Sequence, residues 1–289
     1  MRPFLLLSRR TFTSTRSSSK HISLAYDTYP SKLTQSTTKK SPLIICHGLF
    51  GSKQNWASLC RAASQRIDRD IYAVDLRNHG DSPHHPVHDF PAMAEDLLAF
   101  MDEHDLKQPI LMGHSMGGKA VMMAALQAPE RISKVISVDM PPVPLTLSQG
   151  FSNYIQGMQQ VDQAQCTKQS QADTILQQYE SNIGIRMFLL TNLKRQNGVL
   201  SFRLPLSILA NSLDHIGQFN PPKAVYPHPT LFIAGGKSPY YPPFSQHKTQ
   251  INTLFPQSEM KVVQDAGHWV HAEKPEQVLQ LITTFSQDE

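Results

Sequence analysis

Ser115 stands at the centre of the pentapeptide GHSMG, which occupies residues 113–117. An apolar run precedes it at residues 109–112, and a run that favours a helix follows it at residues 116–128. A serine on a sharp turn from strand to helix presents its hydroxyl above a sheet edge, and glycines beside it let the strand and the helix pass closely. This arrangement predicts that Ser115 is a nucleophile, held by the kind of backbone strain that active sites retain.

A nucleophilic serine needs a base to remove its proton, and His268 is the predicted base. It lies in the segment DAGHW, residues 265–269, directly after the last strand-like run, which places it at the same sheet edge as Ser115. Imidazole can accept this proton and return it to a leaving group near neutral pH. His271 is the alternative base, while His114 is expected to point away from Ser115 because the turn is sharp.

An imidazole base needs a carboxylate that holds its tautomer and stabilises the imidazolium. Two positions suit this carboxylate, the end of the strand after the nucleophile helix and the end of the next strand. The second position carries GGKS at residues 235–238 and no acid, whereas the first carries Asp139. Asp139 is therefore the predicted acid and Asp214 the alternative, because Asp265 is too close to His268 in sequence to orient it.

Backbone N–H groups must stabilise the tetrahedral intermediate of such a reaction. The residue after the nucleophile, Met116, supplies one predicted donor. The other is the N–H of Leu49 in the segment HGLFG, residues 47–51, whose glycines let the backbone approach an oxyanion. A glycine-rich turn without a catalytic role is the alternative interpretation of this segment.

A second polar segment, DLRNHGDS at residues 75–82, also follows a strand-like run. It could be a binding loop. The favoured interpretation is structural, with Asn78 and Gly80 supplying left-handed turn conformations.

The elements that must position these residues alternate along the chain. The predicted strands cover residues 22–29, 42–46, 71–75, 110–112, 135–138, 231–234 and 261–263, and the predicted helices cover residues 55–67, 91–104, 116–128 and the segment from 275 onward. This pattern predicts an α/β fold with a mostly parallel central sheet and helices on both faces. The core is assigned to residues 21–140 and 225–289. Residues 141–224, which begin with prolines after the strand ending at Val138, are predicted to form a helical cap over the carboxyl end of the sheet.

The composition is that of a soluble globular protein, with 40% hydrophobic and 17% charged residues. No apolar run is long enough to cross a bilayer. Of the 27 Lys and Arg residues, five precede the first acid, Asp27, so the rest of the chain is close to neutral against 23 Asp and Glu. Nucleic-acid binding is therefore not expected.

The first 20 residues are basic, rich in Ser and Thr, and free of acids. This composition predicts a mitochondrial presequence at residues 1–20, and thus a mitochondrial location, with an ordinary polar tail as the alternative. Three widely spaced cysteines, Cys46, Cys60 and Cys166, are expected to be free thiols in a reducing compartment. Their spacing does not suggest a metal site.

The chain resembles the α/β-hydrolase superfamily over residues 22–286, and more narrowly the YbfF-type esterases with their mitochondrial relatives, a group that includes the yeast ethanol acetyltransferases. The matching segments are HGLFGS at 47–52, DLRNHGDSPH at 75–84, GHSMGGKAVM at 113–122 and GHWVHAEKP at 267–275. The resemblance implies esterase or thioesterase activity on acyl substrates. In the yeast branch it also implies acyl transfer from acetyl-CoA to an alcohol. It places the acid after the strand that follows the nucleophile helix, in agreement with Asp139.

The predicted function is that of a serine hydrolase that cleaves a small acyl ester or an acyl-CoA through an acyl-enzyme, without a metal or an organic cofactor. The alternatives are an alcohol acetyltransferase and a non-catalytic binding partner of a mitochondrial enzyme complex. Residues Phe50, Trp269, Met187 and Phe188 are candidates for substrate binding. The cap residues Phe151, Met158, Met187 and Phe188 could line an apolar pocket or form packing core, and Lys194, Arg195 and Arg203 could contact CoA phosphates or form a solvated face.

Overall fold

The computed structural model describes residues 21–33 and 40–287, so the predicted presequence lies outside the described residues. Within these ranges the strands are β1 Tyr26–Tyr29, β2 Leu43–Cys46, β3 Ile71–Val74, β4 Ile110–His114, β5 Lys134–Val138, β6 Leu193–Gln196, β7 Val199–Phe202, β8 Thr230–Gly235 and β9 Ser258–Val263. Seven of them form one sheet in the order β1-β3-β2-β4-β5-β8-β9, in which β1 is antiparallel and the others are parallel. The remaining two, β6 and β7, form a separate antiparallel hairpin.

The α-helices of the described residues are α1 Ala57–Ala63, α2 Phe90–Glu103, α3 Met116–Gln127, α4 Gln149–Gln163, α5 Gln169–Leu176, α6 Ile183–Leu190, α7 Leu206–Gly217, α8 Pro242–Gln246, α9 Lys248–Leu254, α10 Val270–Glu273 and α11 Pro275–Gln287. Short 3-10 turns add Lys53–Trp56 and Pro129–Arg131. Helix α2 begins where Asp89 accepts a hydrogen bond from the Ala92 N–H at 2.9 Å and Pro91 occupies the first turn.

The two faces of the sheet explain why its central strands are continuously apolar. Along β2, Ile44 and Cys46 belong to the core shared with α2 and α3, while Leu43 and Ile45 belong to the core shared with α1 and α11. Successive side chains of a strand point to opposite faces, so a strand covered on both sides must be apolar at every position. The predicted α/β class, with its mostly parallel sheet and covering helices, is confirmed.

Three element predictions differ from the structure. The strand predicted at residues 22–29 is limited to β1, because the Ile22 N–H leaves the sheet to donate to Asp96 of α2 at 2.7 Å. The helix predicted at residues 55–67 begins as a 3-10 turn and ends at Ala63. Residues 141–224, predicted to form a helical cap, include the hairpin β6–β7, whose turn residues Asn197 and Gly198 have φ angles of 51° and 85°. An Asn-Gly pair between strand-like runs is a hairpin signal that was available in the sequence.

We refer to residues 141–224, which carry α4 to α7 and the hairpin, as the cap. Residues near its two ends meet at one point of the core. The Leu145 N–H donates to the Gly217 carbonyl at 2.9 Å, and the buried Lys119 of α3 donates its ammonium to the same carbonyl at 2.8 Å and to that of Gln218 at 3.2 Å. A cation is favourable at the carbonyl end of α7. Nevertheless, burial lowers the pKa of Lys119 to about 7.

This lysine makes a testable contribution to the dependence of stability on pH. Between pH 7 and its ordinary pKa of 10.5, the unfolded chain keeps the Lys119 proton while the folded protein releases it. The free energy of unfolding should therefore rise with pH relative to that of Lys119→Met, by up to about 1.4 kcal/mol per pH unit. Urea unfolding of both proteins between about pH 7 and 8.5 would measure this, below the range in which most tyrosines ionise. Parallel curves for the two proteins would show that Lys119 keeps its ordinary pKa.

The thiols of Cys46, Cys60 and Cys166 are free and buried, as expected from the sequence. Among the residues that the structure describes, none of the helices combines the length and apolarity that a membrane span requires.

Candidate active site

Ser115 occupies the sharp turn between β4 and α3. Its φ and ψ angles are 53° and −117°, a conformation that costs energy for a residue with a side chain. The glycines at 113 and 117 are needed for packing, because a Cβ on Gly113 would lie 2.1 Å from the Gly117 carbonyl oxygen, and a Cβ on Gly117 would lie 2.5 Å from that of His47. The turn thus lifts the Ser115 hydroxyl to the carboxyl edge of the sheet.

The structure brings Ser115, His268 and Asp139 into one hydrogen-bonded series. The Ser115 Oγ lies 3.0 Å from His268 Nε2, and His268 Nδ1 lies 2.7 Å from Asp139 Oδ2. Because an ionised carboxylate can only accept, Nδ1 carries the proton and Nε2 is left as the acceptor for the serine O–H. This is the tautomer with which an imidazole can remove a proton from Ser115.

Asp139 is fully buried and receives several hydrogen bonds at the end of β5. Its Oδ1 accepts from the Gly235 N–H at 2.9 Å, and its Oδ2 accepts from the Ser238 hydroxyl as well as from His268. Ser238 in turn accepts from the Tyr240 N–H at 3.1 Å, so its hydroxyl is held in place. These donors fix the orientation of the carboxylate.

Ser238 is the functional residue that the sequence interpretation missed. It stands in GGKS, the position after β8 that was set aside because it holds no acid. The sequence shows a hydroxyl residue shortly after this strand, but only the pairing of β8 with β5 in the structure places it beside Asp139.

Replacing Ser238 with alanine should lower kcat by about 10- to 100-fold, the effect of removing one hydrogen bond to a charged group. KM should change little, because Ser238 contacts Asp139 and does not line the cavity that contains Ser115. Steady-state kinetics with an ester substrate would measure both constants. The exposed Ser245, on α8 nearby, provides the matched control Ser245→Ala. Equal kcat values for the two variants would remove Ser238 from the site.

The alternative base and acids lie elsewhere. His271 stacks on Trp56 with 4.2 Å between ring centroids, and burial lowers its pKa to about 3, so it is a poor base at neutral pH. His114 points its Nε2–H at the His268 carbonyl, 2.8 Å away, and so supports the loop that carries the base. Asp214 lines a separate groove beside the cap ends, and Asp265 pairs with Lys237 on the surface at 3.1 Å.

The two predicted oxyanion donors belong to segments next to Ser115. The loop at residues 47–51 passes close to the nucleophile, because a Cβ on Gly48 would lie 3.3 Å from that of Ser115. Within this loop the Phe50 N–H donates to His79 and the Gly51 N–H to the Gly48 carbonyl. The Leu49 N–H has no protein acceptor among the described residues. Met116 is the first residue of α3, so its N–H has no partner within the helix.

A largely apolar cavity opens onto Ser115 and His268. Three of the four candidate substrate-binding residues, Phe50, Phe188 and Trp269, line it. The prediction for Met187 is wrong, because this side chain is 39% exposed on the outer face of α6. Successive helix positions differ by about 100°, so the inward residues of α6 are Ile185, Phe188 and Leu189.

Of the other cap residues considered, Phe151 lines the cavity, whereas Met158 is buried in the packing core. The three basic cap residues considered for CoA phosphates, Lys194, Arg195 and Arg203, do not line it. Lys194 and Arg203 lie 3.2 and 3.4 Å from Asp81, and Arg195 donates to the carbonyls of Gly198 and Thr167. Their local partners give no support to a site for CoA phosphates.

Comparison with known proteins identifies the group to which this geometry corresponds. The family described as alpha/beta hydrolase fold matches residues 41–275. The sn-1-specific diacylglycerol lipase ABHD11 of Mus musculus is 41% identical over 247 residues, 84% of this chain and 80% of that protein. Esterase YbfF of Escherichia coli is 37% identical over 88% of this chain and 96% of its own length. A probable alcohol acetyltransferase of Saccharomyces cerevisiae is 36% identical over 85% of this chain and 77% of its own length.

Proposed function

The chain belongs to the α/β-hydrolase fold family and is an ester hydrolase, and from this premise we propose that it cleaves acyl esters through a covalent acyl-enzyme on Ser115. The observation that carries the proposal is the contact of Ser115 with His268 at 3.0 Å, in a cavity lined by apolar side chains. A hydroxyl hydrogen-bonded to an imidazole that is itself fixed by a carboxylate is an activated nucleophile.

The reaction follows from the roles of these groups. As the Ser115 oxygen bonds to the substrate carbonyl carbon, His268 takes the hydroxyl proton, and the carbonyl oxygen becomes an oxyanion facing the N–H groups of Leu49 and Met116. Collapse of this intermediate breaks the bond to the leaving group, which receives the proton from His268. Water then loses a proton to His268 and attacks the acyl-enzyme, which releases the carboxylic acid and restores the Ser115 hydroxyl. Asp139 stays ionised and stabilises the imidazolium throughout.

The lining of the cavity supports an acyl chain as the part of the substrate that is bound. Phe50, Phe151, Ile185, Phe188 and Leu189 surround the space beside Ser115. Such a surface gains free energy from a hydrocarbon chain. The mouse relative is named as a diacylglycerol lipase, which supports a glycerolipid ester as the substrate class. A thioester such as an acyl-CoA has a carbonyl carbon that Ser115 would attack in the same way, and it is the second candidate substrate.

A substrate panel tests this proposal. p-Nitrophenyl esters, diacylglycerols and acyl-CoAs of increasing chain length would be compared for kcat/KM, while a fluorophosphonate probe would report on the reactivity of Ser115. Probe labelling at Ser115 together with turnover of acyl esters is expected. A chain that neither reacts with the probe nor hydrolyses any ester of the panel would instead fit the non-catalytic binding role.

Acyl transfer to an alcohol is the second candidate, favoured by the yeast relative named as a probable alcohol acetyltransferase. The acyl-enzyme would be the same, and an alcohol in place of water would give up its proton to His268 and take the acyl group. Assays with acetyl-CoA in the presence of ethanol separate the two candidates. Ethyl acetate as the main product would support transfer, whereas acetate alone would support hydrolysis.

We also propose that residues 1–20 direct the protein to mitochondria. The support is compositional, since these residues include Arg2, Arg9, Arg10, Arg16 and Lys20 and no acid. A fluorescently tagged chain should be imported, and the same chain without residues 1–20 should remain in the cytosol. Unchanged import of the shortened chain would show that the signal lies elsewhere.

A further inference from the structure

The peptide units of Phe50 are held from two sides. Its N–H donates to His79 Nε2 at 3.0 Å, and its carbonyl accepts from Asn192 Nδ2 at 2.8 Å. Phe50 has a φ angle of 62°, in the left-handed region that residues with a Cβ seldom adopt. A strained conformation of this kind persists only where the surroundings enforce it. Phe50 directly follows Leu49, so the two hydrogen bonds fix the backbone on one side of the oxyanion donor.

The first of these partners, His79, is fixed in the tautomer that the contact requires. Its Nδ1 lies 3.0 Å from the Arg77 carbonyl, which can only accept, so Nδ1 carries the proton and Nε2 is free to accept from Phe50. The ring is buried, and burial keeps the pKa of His79 well below its ordinary value. His79 therefore stays neutral at physiological pH.

A neighbouring histidine repeats this arrangement. His47 lies 2.8 Å from the Gly48 carbonyl through Nδ1 and accepts from the Leu76 N–H through Nε2 at 3.0 Å. The two imidazoles, with ring centroids 5.0 Å apart, join the loop at residues 47–51 to the segment at residues 75–82. That segment was interpreted as a structural turn, and the φ angles of 68° at Asn78 and 56° at Gly80 agree with this.

The second partner, Asn192, connects the loop to the cap. It is buried between α6 and β6, and its amide also donates to the Leu189 carbonyl at 3.3 Å. Leu189 and its neighbour Phe188 line the cavity. The α6 side of the cavity is thus joined through the Asn192 side chain to the Phe50 carbonyl, next to the oxyanion donor Leu49.

We propose that His79 and Asn192 are positioning residues that hold the backbone at Phe50 so that the N–H of Leu49 faces the developing oxyanion. The inference rests on the proposed function, because it assigns these residues to the same acyl-transfer site. It predicts a specific defect, in which the transition state is stabilised less while the acyl chain binds as before.

His79→Leu, which removes the acceptor, should lower kcat for a p-nitrophenyl ester by about 10- to 100-fold, somewhat less than the roughly 10²- to 10³-fold caused by outright loss of an oxyanion donor. KM should change little. His79→Gln, which can place a carbonyl oxygen near the position of Nε2, should recover much of the loss. The exposed His84, two residues beyond the segment at residues 75–82, gives the matched control His84→Leu, with activity like that of the original chain.

A second readout separates positioning from a general structural role. An alkyl boronic acid forms a tetrahedral anionic adduct with an active serine, whereas a fatty alcohol of equal length occupies only the acyl cavity. In His79→Leu the boronic acid should bind more weakly by the same factor as kcat/KM falls, while inhibition by the alcohol stays constant. Parallel losses for both ligands, or none for either, would overturn the proposal.

Two further results keep the test decisive. If His79→Leu does not fold, Asn192→Leu acts on the same residue from the cap side, and the same pair of inhibitors decides the question. If the original chain itself hydrolyses no ester and binds no boronic acid, the proposed function fails. If the original chain is active and both variants match it, the positioning role alone fails.

Discussion

Ser115→Ala should lower kcat for an acyl ester by about 10⁴- to 10⁶-fold, the range seen when a member of such a catalytic set is removed. The hydroxyl that forms the covalent bond would be absent, and His268, 3.0 Å from its oxygen, would have no proton to accept from the enzyme. Steady-state kinetics with a p-nitrophenyl ester, together with fluorophosphonate labelling, would measure the loss of turnover and of covalent reaction.

The fold should tolerate this substitution. The Ser115 side chain makes no capping hydrogen bond to α3, and alanine meets the same backbone strain at φ 53° as serine does. The far-UV and near-UV circular dichroism of the variant should therefore match that of the original chain. Esterase activity within tenfold of the original, with continued labelling by the probe, would place the nucleophile at another residue.

Asp139→Asn is expected to have the second largest effect, a loss of about 10⁴-fold in kcat with the overall geometry preserved. The two oxygens of Asp139 accept from Gly235, Ser238 and His268. An asparagine amide has one oxygen and would direct an NH₂ group at one of these donors, which favours the tautomer with the proton on Nε2 of His268. That tautomer cannot accept the proton of Ser115.

The kinetics of three isosteric variants would test this assignment. Asp139→Asn should lose nearly all turnover, whereas Asp214→Asn and the surface variant Asp265→Asn should retain it. If Asp214→Asn proved the defective protein and Asp139→Asn remained active, the alternative acid would be the correct one. Thermal unfolding would show whether each variant keeps its folded state.

The relative placement of Ser115, Asp139 and His268 could be anticipated from the sequence because parallel strands share a carboxyl edge. Ser115 and Asp139 directly follow strand-like runs, and His268 lies on the loop after the last one. Strands β4, β5, β8 and β9 lie side by side. Residue order along the chain therefore translates into proximity at that edge.

Other features depended on information that the sequence pattern does not contain. The sequence predicts Met187 in the cavity because an apolar run does not reveal which side of a short helix faces inward. In α6, Leu189 and Leu190 are buried, whereas Met187 is 39% exposed. The hydrogen bond of Ser238 to Asp139 depends on the register between β5 and β8, in which Val138 pairs with Ile233. The contact of His79 with Phe50 joins two loops that are 29 residues apart, and only the folded chain shows it.

The hydrogen bond that joins residues near the two ends of the cap has a consequence for how enzymes of this kind could diversify. Residues 145 and 217 are linked by one hydrogen bond of 2.9 Å, so the part of the cap between them leaves and rejoins the rest of the chain at almost a single point. A foreign insert with similarly spaced ends could be grafted there without altering the sheet, as in other tolerated domain insertions. Chimeras of this design would exchange substrate preference as a module and inherit the chemistry unchanged, provided that the incoming segment supplies a donor to the Phe50 carbonyl.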